Sequence, residues 1–111
     1  MRFQIGGLEQ FKKHDFRLDI LRHVAFCLRE TVNGDFNITK LGFVGSRIDG
    51  TYTSDSDLDV IIEYEGDYRE DDVFNGLNEE PLYIEGVRLD FVPFSIDKGN
   101  EFEGDYLDIL E

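Results

Sequence analysis

From Asp57 to Tyr64 the chain reads Asp-Leu-Asp-Val-Ile-Ile-Glu-Tyr. Side chains of a β-strand point to alternate faces. Leu58, Val60 and Ile62 therefore share one face, while Asp57, Asp59, Ile61 and Glu63 share the other. The first set suits a core, and the second carries carboxylates. A later run, Val87 to Phe94, repeats the pattern, with Val87, Leu89 and Phe91 facing one way and Arg88, Asp90 and Val92 the other. Asp90 is thus expected to join Asp57 and Asp59 on a single sheet face. Three carboxylates there would repel one another, but they offer the hard oxygen donors that Mg²⁺ takes. An alternative for Asp90 is a strand-edge acid paired with Arg88.

Separated from Asp57 by ten residues, Gly45-Ser46 closes another apolar run. A small pair at a strand-to-helix turn lets backbone N–H groups approach a phosphate. The same pair would also serve a plain tight turn with Ser46 as N-cap. Arg47 is a further candidate for phosphate contact, against an ordinary surface charge. Carboxylates, a divalent cation and a phosphate cradle together point to phosphoryl or nucleotidyl transfer.

The stretch from Gly45-Ser46 through Asp57-Leu58-Asp59 resembles the signature of the DNA polymerase beta-type nucleotidyltransferase superfamily. Within it, the minimal nucleotidyltransferases (MNT proteins) are the most similar. The likeness is sharp from Leu41 to Tyr64 and extends to Phe94. It implies a small α+β domain, with a mixed three- to five-stranded sheet and helices packed on one face. It implies that Asp57, Asp59 and Asp90 are catalytic, with Asp57 and Asp59 holding two Mg²⁺ ions during catalysis and Asp90 either holding the catalytic one or acting as base on the incoming hydroxyl. By the same resemblance, Gly45, Ser46 and Arg47 bind the nucleotide, with ATP as the expected donor. Many MNT proteins are antitoxins beside HEPN toxins, so a tyrosine on a basic partner of that kind is the expected acceptor. Two other readings stand beside this one: a non-catalytic module that neutralises or scaffolds a partner, and a small-molecule, antibiotic-type nucleotidyltransferase, which would need a dimer cleft or a helical acceptor domain. The chain departs from the MNT pattern at Asp49, where a second basic residue is common, and in its first fourteen residues. It also shows a hairpin before Asp90 where many members have a helix.

At 111 residues the chain is expected to form one domain, spanning 1–111. Its net charge of −14 is unevenly placed. Residues 1–47 carry a balance of +3 and residues 48–111 one of −17, and such a field repels nucleic-acid backbones. No nucleic-acid template is therefore expected, whereas a basic protein partner would be attracted. No apolar run reaches the roughly 18 residues of a membrane span, and no leader is visible at the N-terminus. With the lone Cys27, expected to be a buried structural thiol, this suits a reducing cytoplasm.

The remaining elements follow from periodicity. Leu21, Val24, Ala25, Leu28 and Val32 predict a helix from Phe16, capped by Asp15 and stopped at Asn33-Gly34. Ile38 to Val44 reads as a strand. Residues 65–80 read as an acidic loop, with a short helix at most around 72–77. Leu82–Ile84 and Val87–Phe94 predict a hairpin across Glu85-Gly86. Gly104 to Glu111 reads as a terminal helix. His14 and His23 are expected at the start and on the surface of the first helix.

Overall fold

The structure is a computed structural model that describes residues 3–111. Its elements run α1 (Lys13–Cys27), β1 (Asn37–Val44), α2 (Ser46–Asp49), β2 (Leu58–Glu65), α3 (Glu70–Glu79), β3 (Leu82–Ile84), β4 (Val87–Ser95), a 3-10 turn (Ile96–Lys98) and β5 (Leu107–Asp108). The strands form one sheet in the order β3-β4-β2-β1-β5. Only β2 and β4 run parallel, so the expected mixed sheet is present. The expected β3–β4 hairpin forms across Glu85 and Gly86, both at positive φ, as a two-residue turn of this kind requires.

Strand phasing decides what each face can do. Phe43, Val60 and Phe91 are register partners across β1, β2 and β4, and all three are fully buried. Both long helices close over this face. Phe16 of α1 meets Phe43 edge-on, with ring centroids 5.1 Å apart. Asn78 of α3 exchanges two hydrogen bonds with the Phe91 backbone, at 3.0 and 3.1 Å. His23 is wedged between these layers rather than lying on the surface. Its ring stacks on Phe91 and its Nε2–H donates to the Leu77 carbonyl at 3.0 Å.

Several elements differ from expectation. The buried stripe of α1 is Phe16, Ile20 and Val24; of the expected stripe, Val24 and, beyond the helix, Leu28 are buried, Leu21 and Val32 pack against the core in part, and Ala25 is exposed. Its first turn begins before Asp15, whose carboxylate accepts the Lys12 N–H at 3.0 Å instead of serving as the N-cap. The helix stops at Cys27, because the Arg29 N–H and guanidinium both turn back onto the Phe26 carbonyl. Residues 70–79 form a full helix held by buried Val73 and Leu77. Helix and hairpin therefore both lie between β2 and Asp90. The C-terminal segment forms β5 at the sheet edge beside Gly42 and Phe43, not a helix.

The opposite face carries Asp59, Ile61 and Glu63 of β2 beside Asp90, Val92 and Phe94 of β4. Residues 99–106 cover one end of it. Phe102 packs edge-on against Phe94 and Tyr106 there, with centroids 5.1 and 5.6 Å away. The other end carries the aspartates. Among the described residues, no helix is long and apolar enough to cross a membrane.

Candidate active site

Asp59 is placed by pairing on both sides. Across one edge of β2 it is the register partner of Val44, and across the other it is the partner of Asp90. In-register parallel pairing puts the Asp59 and Asp90 side chains on the same face, as phasing predicts. Asp57 is exposed and precedes β2 by one residue. Burial raises the Asp59 pKa above the ordinary carboxylate value, and the charges of Asp90 and then Asp57 push it further up. The three carboxylates thus form one electrostatic group. Among the described residues, no group of three or more potential ligands is gathered closely enough to hold a metal ion as the side chains stand. No ion pair among those residues joins Asp90 to Arg88, so the alternative reading of Asp90 finds no support.

Gly45 belongs to the same cluster. It follows Val44 and turns the chain into α2 at φ +95°, a conformation that L side chains rarely adopt. A Cβ at this position would collide with the Asp59 Oδ2. Glycine is therefore required both by the turn and by the carboxylate lying against it. Ser46 opens α2 and is half-buried.

Arg47 lies elsewhere than a phosphate contact would demand. It is only 4% exposed, and its guanidinium donates to four backbone carbonyls. Nε reaches Ser56 O at 2.9 Å and Nη1 reaches Gly6 O at 2.7 Å. Nη2 faces Thr53 O and Ser54 O, each at 3.4 Å. The Tyr52 ring lies 5.0 Å from the guanidinium carbon. With its donors engaged on protein carbonyls, Arg47 is a brace of the loop between α2 and β2.

Neighbouring residues hold that loop too. Asp49 accepts from the Thr51 N–H at 3.0 Å and from its hydroxyl at 2.6 Å, and these bonds lower its pKa. Ser56 Oγ accepts the Thr53 N–H at 2.9 Å. Asp49 thus ties a turn. The Ser/Thr-rich composition of 51–56 signals a turn, but the contribution of Gly6 carries no signal in sequence.

No curated protein and no solved structure matches the chain. The family model described as nucleotidyltransferase domain matches residues 27–106. That span takes in β1, the Gly45 turn, the braced loop, β2, α3 and the Asp90 strand. A Gly-Ser turn lying against the first of two strand-paired aspartates is thus set in a matched domain covering most of the sequence, and on that ground the chain belongs to the nucleotidyltransferase domain family and is a nucleotidyltransferase.

Proposed function

We propose that this domain transfers a nucleoside monophosphate, AMP from ATP, to a hydroxyl on a partner protein. The observation that carries this reading is Asp59, a carboxylate disfavoured by burial and by two neighbouring acids and lying against Gly45. Such a group is stabilised by a cation. The donors of Asp57, Asp59 and Asp90 are all carboxylate oxygens, which fits Mg²⁺. When bound, Mg²⁺ offsets charge on the triphosphate and on the departing pyrophosphate.

The protein residues supply position and proton transfer. Gly45 and Ser46 seat the phosphates, with the glycine leaving room for close backbone approach. Asp57 and Asp59 hold the cation side of the triphosphate. The acceptor hydroxyl oxygen attacks the α-phosphorus as its proton passes to the Asp90 carboxylate. A phosphorus–oxygen bond forms to the acceptor, and the bond to pyrophosphate breaks. Most of the rate comes from alignment and charge neutralisation, as in other phosphoryl-type transfers.

Charge guides the choice of acceptor. A net charge of −14 favours a basic protein surface over a nucleic acid. By the MNT resemblance, that protein is a HEPN toxin and its tyrosine is the acceptor, which makes this chain an antitoxin. The test is incubation with Mg²⁺, α-labelled ATP and the protein encoded next to it, beside an Asp57→Ala/Asp59→Ala variant. Label on the partner that disappears with the variant supports the proposal. Unlabelled partner that is still inhibited by the variant would establish a binding module instead.

A further inference from the structure

Arg47 joins two parts of the chain that are far apart in sequence. Toward the N-terminus it grips both polar groups of one residue. The Gly6 N–H donates to the Arg47 carbonyl at 2.8 Å, and Arg47 Nη1 donates to the Gly6 carbonyl at 2.7 Å. Toward the site, Nε holds Ser56 O, the carbonyl immediately before Asp57. The N-terminal anchor is firm, because Ile5 and Leu8 are each 1% exposed within the main core. None of the ion pairs among the described residues involves Arg47. Its charge is met by carbonyl oxygens and the face of the Tyr52 ring.

The glycines at 6 and 7 are shaped around this contact. A Cβ on Gly6 would run into the Tyr52 ring. One on Gly7, at φ +82°, would lie 2.6 Å from Arg47 Nη1. The turn at Gly6-Gly7 is therefore also a socket for Arg47 and Tyr52. Residues 5–8 lie outside the matched span of 27–106, so the family match alone gives them no part in the site.

We propose that Arg47 is a positioning residue that fastens the loop bearing Asp57 to the N-terminal segment, making residues 5–8 part of the catalytic apparatus. This rests on the metal-site reading above. A planar guanidinium can serve several carbonyls at fixed angles, whereas a lysine ammonium is a point donor on a flexible stem. Arg47→Lys should therefore keep the charge and lose the geometry. Gly6→Ala should act from the far end. Gly6 has no left-handed φ, so the added methyl acts first by meeting the Tyr52 ring.

The experiment compares the full chain, Arg47→Lys, Gly6→Ala and the double variant by two readouts. Hydrogen exchange of amides 53–57 reports the loop directly, and Mn²⁺ affinity by electron paramagnetic resonance reports the carboxylates. Each single variant should speed exchange and weaken Mn²⁺ binding about tenfold, the lower end for groups that support metal ligands. The double variant should add little, because both substitutions break one connection. If Arg47→Lys fails to fold, Gly6→Ala still decides the matter. Folded variants with unchanged exchange at 53–57, or single effects that multiply, would overturn the proposal. Absence of Mn²⁺ binding by the parent chain would instead refute the metal-site reading and leave exchange to judge the loop.

Discussion

Asp59 and Glu63 stand on the same face of β2, four residues and about 13 Å apart, and they are treated in opposite ways. Glu63 is 2% exposed and well supplied with donors. It accepts from the Thr39 hydroxyl at 2.6 Å and the Phe102 N–H at 2.8 Å, and it pairs with Lys40 at 3.4 Å. A register irregularity between Ile38 and Lys40 accompanies the arrival of both Thr39 and Lys40 at this one carboxylate. Burial alone would raise the Glu63 pKa, but these partners together lower it. Asp59 has acids where Glu63 has donors, and its pKa rises. A buried acid that the fold satisfies locks the segment 99–106 in place. Asp59 is only half-buried, and the neighbouring acids that raise its pKa are what we propose a cation offsets.

The largest effect should come from Asp59→Asn. Turnover in the label-transfer assay should fall about 10²–10³-fold, the range for losing one preorganised electrostatic contact. Glu63→Gln, per folded molecule, should retain nearly all activity. Equal losses from the two would erase the distinction.

In stability the order reverses. Glu63→Ala leaves the Thr39 hydroxyl, the Phe102 N–H and Lys40 without their acceptor, and should cost about 2–3 kcal/mol in urea unfolding. Gly45→Ala should cost about 1–3 kcal/mol from left-handed strain, and should lower activity as well through its contact with Asp59.

The subtlest contrast is in pH. The Glu63 pKa is depressed in the fold, so its stabilisation is present above the unfolded value of about 4.3 and is lost as pH falls through the folded pKa. The Asp59 pKa is raised, so its ionisation opposes folding above the unfolded value of about 3.9, and acidification removes that penalty. Unfolding at a series of pH values should show Asp59→Asn more stable than the parent at neutrality. That advantage should fade as pH falls through the raised Asp59 pKa. The deficit of Glu63→Gln should close at lower pH.

The aspartates were legible because strand alternation is local and the Gly-Ser spacing is specific. The β3–β4 hairpin was legible from Glu85-Gly86 for the same reason. The rest depended on distant partners. Only Val73 and Leu77 of α3 reach the core, and the acids around them hid so thin a stripe. Tyr106, Leu107, Ile109 and Leu110 have helical spacing, but pairing with Gly42 and Phe43 overrides it. Arg47 next to Gly-Ser looked like a phosphate ligand. The structure instead sets its guanidinium on the Gly6 carbonyl, which no local pattern could place beside it.

The central claim, that the Asp59 end of β2 is held in readiness for a cation with nucleotide, is tested most directly by thermal melting of the parent chain and Asp59→Asn with and without Mg²⁺·ATP. The parent should melt higher when Mg²⁺·ATP is added, since a ligand that binds only the folded state stabilises it. Asp59→Asn should begin above the parent at neutral pH and respond little. Equal upward shifts in both proteins, or no shift in the parent, would contradict the account.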